Sequence, residues 1–314
     1  MSIKKRNRLT YTSLCAIIAT NSGNQATKNI EGDKMETTQI QKITDAEYFS
    51  VPAISASQIK QFDRGAYWFW KSSPFNPDKD PEKETDALVF GKLCHCMLLE
   101  PDKVREEYLV VDFGASRANK KYETAKQENP GKIIISPKEV DHAAKMIMNI
   151  KDHRLASLIL DGATAEMPFM WTDKATGLPM KCKMDAIKRT KNGIVVIDYK
   201  TSSSIPEILK YAQKLQYPIQ SDVYCRAVEA KYGEKPCEFV FIIQSNREGE
   251  EDIVCVANVE PETQRVAHDI VDAHMSEIKV RLDRWNETHD KSIWSAYPER
   301  EMISYSNYFM TYGD

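Results

Sequence analysis

The chain has 314 residues, a formal net charge of −3, 42% apolar and 28% charged side chains. That suits one large soluble domain or two small ones. It excludes an overall basic signature, so contact with nucleic acid must rest on local charge. No stretch reaches the ~18–20 apolar residues of a membrane span. The seven cysteines are odd in number and lack framework spacing, which points to reduced thiols in a cytosol. There is no C-x-x-C, which argues against a zinc ribbon or a structural iron–sulfur cluster.

Residues 1–34 open with Lys4-Lys5-Arg6-Asn7-Arg8 before Leu9 to Thr20, an imitation of a signal peptide. Thr10, Tyr11, Thr12 and Ser13 dilute the apolar run, and Asn21-Ser22-Gly23-Asn24 makes a poor cleavage site. This leader is expected to be disordered. Domain-like sequence follows Met35, a candidate second start. A single domain is expected over 35–290, with an aromatic tail over 291–314 that docks on the body or on another subunit.

Ser55 as N-cap with Gln58 three residues on forms a capping-box pattern, and Ile59, Phe62, Ala66 and Phe69 continue a helical face. Tyr67, Trp68, Phe69 and Trp70 are read as core rather than as a base-stacking platform. Asp86 to Glu100 reads as a strongly apolar helix ended by Pro101. His95 lies one turn after Gly91 on the same face. A lone histidine there is ordinarily a satisfied core residue. Residues 112–132 are basic-rich and read as a solvated helix face, with a DNA-facing arm as the alternative. Pro137 to Leu160 predicts one or two amphipathic helices, and Ala165 to Thr172, begun by Glu166, a strand.

The most informative stretch is 180–201, which predicts a β-hairpin. In its first strand Met180, Cys182, Met184 and Ala186 alternate with Lys181, Lys183, Asp185 and Ile187. Lys191-Asn192-Gly193 supplies the turn. Ile194 to Lys200 is apolar on both faces until its end, as a buried central strand should be. The period of two puts Asp198 and Lys200 on one face, about 6.6–7 Å apart, and normal pairing brings Asp185 opposite them. Two carboxylates, the Tyr199 carbonyl and one ammonium then converge, a set of hard oxygens suited to Mg²⁺ beside a lysine that can stabilise a phosphorane or orient water. The bland alternative is two solvated strand-end acids and a surface lysine. Residues 181–210 carry seven Lys or Arg against three Asp or Glu.

A short helix over Ile205 to Leu215 follows, then one with Pro218 in its first turn, on which Tyr217, Gln220 and Tyr224 form a stripe. Gln220 and Tyr224 are candidates to hold a phosphate or the lysine; a semi-buried polar stripe is the alternative. Two strands, Cys237 to Gln244 and Asp252 to Val259, and a long helix from Pro261 complete an α/β core with a mixed sheet flanked by helices.

From Ile54 to Asn258 this arrangement resembles the PD-(D/E)xK nuclease superfamily, with its restriction-endonuclease-like core. Within it the chain looks most like the exodeoxyribonuclease VIII (RecE-type) catalytic domain of phages and prophages. The motifs are Ile54-Ser55-Ala56-Ser57, Phe90-Gly91-x-x-x-His95-x-x-Leu98-Leu99-Glu100-Pro101, Glu166 with Trp171 and Thr176-Gly177-Leu178, Lys181 to Asp185, Ile197-Asp198-Tyr199-Lys200-Thr201, and Gln220-x-x-x-Tyr224. The resemblance implies that Asp185, Asp198 and the Tyr199 carbonyl ligate Mg²⁺, with Mn²⁺ able to substitute. Lys200 would serve the attacking water, His95 would sit at or near the metal, and Gln220 and Tyr224 near the DNA phosphate. Glu166 would be the acidic residue before the hairpin. The superfamily often has Glu where this chain has Asp198, and its Pro has no counterpart at Met184. The resemblance further implies Mg²⁺-dependent digestion of linear double-stranded DNA from 5′ ends, a homo-oligomeric ring, a single-strand annealing recombinase (RecT-type) as partner, and the bacterial cytoplasm as location, without a membrane. The rivals are a RecB-like or CRISPR-associated nuclease of the same superfamily, a DNA-binding module that has kept the fold, and an unrelated α/β protein.

Overall fold

The structure, a computed structural model, describes residues 45–79, 84–114, 116–212, 214 and 216–295. The expected leader and the tail beyond residue 295 lie outside them. Five strands make one mixed sheet in the order β3-β4-β5-β6-β7: β3 Thr164–Thr172, β4 Pro179–Thr190, β5 Gly193–Ser202, β6 Glu238–Ser245 and β7 Val254–Asn258. β3, β4 and β5 run antiparallel, β5 and β6 parallel, and β7 antiparallel to β6. The parallel step is crossed by α9 (Ile205–Lys210) and α10 (Tyr217–Tyr232), as a parallel connection requires.

β5 is the centre of the sheet because both its faces are apolar. Val195, Ile197 and Tyr199 pack under α4 (Asp86–Leu99) and α7 (Pro137–Asp152), whereas Ile194 and Val196 pack under α9 and α10. Each such buried aliphatic chain contributes about 1.5–3 kcal/mol, so the residues at the end of β5 are held by a strand anchored on both faces. α4 crosses that end at Gly91, where a Cβ would meet Thr201 Oγ1 at an ordinary contact distance of 3.6 Å.

A third cluster joins α2 (Ala56–Arg64), α3 (Ala66–Ser72), α10 and the closing helix α11 (Pro261–Thr288). The first part of the aromatic tail belongs to it. Trp294 is buried and stacks on Trp70 with ring centroids 4.5 Å apart. The aromatic run 67–70 divides. Phe69 is fully buried and Trp70 lies under Trp294, but Tyr67 and Trp68 are 40% and 37% exposed. The reading of all four rings as core is therefore corrected for two of them. Gly65, at φ 135°, breaks the helix just before, and the new turn rotates these two rings outward.

Two three-residue strands were not expected. β1 (Tyr108–Val110) and β2 (Ile133–Ile135) pair in parallel and carry α6 (Lys120–Glu128) between them. Three residues are too short to show a period. Of the basic side chains there, Arg117 pairs with Asp86 and Glu139, whereas Lys120, Lys121 and Lys126 are exposed.

The hairpin loop is Lys191-Asn192, and positive φ falls on Gly193 alone, at 127°. A Cβ at Gly193 would also lie 3.2 Å from Cys237 Cβ. Gly193→Ala is therefore expected to destabilise the fold by about 1–3 kcal/mol. Urea unfolding checks this; a midpoint unchanged from wild type would contradict it.

Candidate metal and catalytic centre

The sheet forks at Asp185. On its C-terminal side β4 pairs with β5, from Ala186 with Ile197 to Thr190 with Gly193. On its N-terminal side β4 takes a different neighbour: Ile54 N–H donates to the Pro179 carbonyl, and Lys181 N–H to the Ile54 carbonyl, both at 2.8 Å. Between the two neighbours β4 and β5 part, and the Asp185 carboxylate fills the gap. Its Oδ2 accepts the Tyr199 N–H at 2.7 Å. In an extended strand the N–H and C=O of one residue face the same edge, so the Tyr199 carbonyl also points into the fork.

Strict alternation along β4 fails here. Cys182 and Met184 pack in the same cluster as Ile187, and Ala186 packs in the opposite one. The expected faces of Ala186 and Ile187 are exchanged. The neighbouring strand is irregular at the same level. Ala165 pairs with Ala186 and Met167 with Met184, but Glu166 between them sits at φ 50° and joins no pair. A non-glycine residue in the left-handed region inside a strand stores strain. Its carboxylate accepts an ion pair from Lys183 at 2.8 Å.

α4 brings His95 over the fork, with Nδ1 3.5 Å from Asp185 Oδ2 and its ring 5.0 Å from that of Tyr199. Ligand atoms of His95, Glu166 and Asp185 all lie within 4.8 Å of one another. Asp198 emerges from β5 on the α10 side and is only 1% exposed. Its Oδ1 accepts the Gln220 amide at 2.6 Å, and its Oδ2 meets Lys200 Nζ at 2.5 Å. Tyr224 donates to the Lys183 carbonyl at 3.2 Å, and its oxygen accepts from Gln220 at 3.3 Å. Gln220 thus holds Asp198 and Tyr224, and no hydrogen bond joins it to Lys200.

Burial raises the Asp185 carboxyl, but His95, Lys200 and the Tyr199 N–H outweigh it and hold its pKa below the ordinary value. Burial works against the His95 imidazolium, and Asp185 more than offsets this, so His95 lies above the usual histidine value. For Asp198, burial and the like charge of Asp185 prevail over Lys200, and its pKa is raised. Burial opposes charge on Lys200, yet Asp198 and Asp185 keep it protonated. Burial also raises Glu166, against the pull of Lys183. Carboxylates crowded in this way, two of them with their proton affinity raised, suit a divalent cation, which would relieve the repulsion. The donors are oxygens with one imidazole, a set that fits Mg²⁺ or Mn²⁺.

A protein-family profile described as a PDDEXK-like domain of unknown function (DUF3799) matches residues 55–303. The chain belongs to this PDDEXK-like family. Among solved structures, a Eubacterium rectale protein named as a candidate exonuclease, determined at 2.19 Å, is similar with a TM-score of 0.54 and 16% identity. The match covers 90% of this chain and all of that one. The structure of SSO0001 matches at 18% identity over 68% of this chain and 96% of its own, with a TM-score of 0.27. No curated protein matches. The core of the PDDEXK-like domain is the mixed sheet and flanking helices described above.

One polar residue at this centre carried no signal in the sequence. Lys60, on α2, donates to Gln220 Oε1 at 2.8 Å. Burial and the nearby Lys200 lower its pKa to about 8 against the pull of Asp198. It lies 160 residues from Gln220 in sequence, in no local motif, and only the packing of α2 on α10 brings it in.

Proposed function

We propose that this chain is a Mg²⁺-dependent exodeoxyribonuclease that digests linear double-stranded DNA from 5′ ends and leaves 3′ single strands. The observation that carries the reading is the fork between β4 and β5, where His95, Glu166 and Asp185 bring ligand atoms within 4.8 Å of one another and the charges of the Asp198–Lys200 pair act on Asp185. Membership of a PDDEXK-like family supports it, as does the likeness to a protein named as a candidate exonuclease.

Asp185, Asp198, the Tyr199 carbonyl and His95 would hold the metal, with Glu166 as a further donor. A bound Mg²⁺ supplies neutralisation of the phosphodiester and a more acidic water. Lys200 presents an ammonium to the attacking water and to the charge that develops on phosphorus. Gln220 fixes the Asp198 carboxylate by donating to Oδ1, which leaves Oδ2 to be shared by Lys200 and the metal. Tyr224 fixes the β4 main chain at Lys183. Buried partners of this kind hold the reacting groups in one geometry. Mn²⁺ would substitute for Mg²⁺. The enzyme would act in the bacterial cytoplasm as a homo-oligomeric ring and hand its 3′ tails to a RecT-type annealing recombinase.

Linear duplex DNA labelled at either the 5′ or the 3′ end, with circular duplex as control, tests polarity and end dependence. Early release of the 5′ label from linear DNA alone is expected. Early release of the 3′ label would overturn the polarity, and cleavage of circular DNA the exonuclease assignment.

A further inference from the structure

The corner between α2 and α3 leads away from the fork as a line of cations and open rings. Lys60 is at the centre itself. Arg64 follows one helical turn later, about 6 Å along the axis. Its guanidinium carbon lies 4.6 Å from the centroid of the Trp68 ring, and Tyr67 stands edge-on to Trp68 with centroids 5.2 Å apart. Arg64 is exposed, and among the described residues its side chain bonds only the neutral Gln61 oxygen, at 2.8 Å. No carboxylate pairs with it among the described residues. Tyr67 and Trp68 are the two rings of their run that the core leaves open.

A single strand presents phosphates at one edge and flat, unstacked bases at the other. Lysine and arginine beside aromatic rings match both features, and stacking accepts any base. Duplex DNA hides its base faces, so the open rings favour a single strand over a duplex. We propose that Lys60, Arg64, Trp68 and Tyr67 form a binding track for single-stranded DNA that continues from the β4–β5 fork. Under the nuclease reading, on which only its purpose rests, the track holds one separated strand close to the centre.

Fluorescence anisotropy in EDTA, where nothing is cleaved, reads binding alone. The probes are a labelled oligothymidylate and an abasic strand of equal length and charge. Wild type is expected to bind oligothymidylate more tightly. Trp68→Ala is expected to weaken that binding roughly tenfold and to leave the abasic strand unchanged, and Trp68→Phe to restore much of the loss. Arg64→Gln is expected to weaken both strands. Equal binding of the two strands by wild type, or an unchanged affinity in folded Trp68→Ala, would overturn the track. A protein that discriminates between the strands yet never cleaves DNA with Mg²⁺ would overturn the nuclease reading and leave the track standing.

Discussion

Lys200→Ala is expected to lower the rate of DNA cleavage by about 10²–10³-fold, the usual loss when one charged group aimed at a transition state is removed. The expectation rests on three observations. Lys200 sits on the same face of β5 as Asp198, with Nζ 2.5 Å from Oδ2. Asp198 and Asp185 keep it protonated despite its burial. The strand that bears it is buried on both faces, so its main chain stays in place when the side chain goes. Asp198 loses its cation in this variant, but its proton affinity is already raised. It can take up a proton while Gln220 still holds Oδ1. The loss should therefore appear in kcat at saturating DNA, with a circular dichroism spectrum like that of wild type. A folded variant that cleaves within threefold of wild type would show that Lys200 is not at the reacting phosphate.

Trp294→Ala is expected to produce the largest loss of stability among these substitutions, about 3–5 kcal/mol. Trp294 is 2% exposed. It stacks on Trp70 at 4.5 Å and packs against Phe69, with centroids 5.6 Å apart. Arg281, from α11, donates to the carbonyl of the adjacent Ile293 and fixes the turn that inserts the indole. Truncation empties the space between α3 and the end of α11. In a domain of this size the melting temperature should fall by roughly 10 °C. Trp68→Ala, which removes an exposed ring, should shift it far less. Thermal unfolding of the two variants side by side checks both statements. A Trp294→Ala protein melting within 2 °C of wild type would mean that the residues after α11 do not hold the body together.

The central strands were readable because they follow the period of two without interruption. Ile194 to Lys200 shows two apolar faces and then an acid and a lysine on one of them. The fork itself was not readable, because it exists through departures from the period. Asp185 faces the end of β5 only because the pleat of β4 slips there, and the slip exchanges Ala186 and Ile187 between faces. Glu166 reaches the same place from a left-handed backbone that no local pattern announces. Gln220 and Tyr224 stood out as a stripe, but their partners, Asp198 and the Lys183 carbonyl, come from strands 22 and 41 residues away. Lys60 had no signature, since a lysine on an amphipathic helix is ordinarily a solvated one. The division of the aromatic run turned on Gly65, whose break redirects the two rings after it.

The most direct test of the account is release of acid-soluble nucleotides from linear duplex DNA by the wild-type protein and by Asp185→Asn, each with Mg²⁺ and with EDTA. Release is expected from the wild type with Mg²⁺ only, and none from the variant under either condition. Release that persists in EDTA, or in Asp185→Asn with Mg²⁺, would contradict a metal-dependent centre at the fork. No release by the wild type with Mg²⁺ or Mn²⁺ would leave a PDDEXK-like fold without nuclease activity.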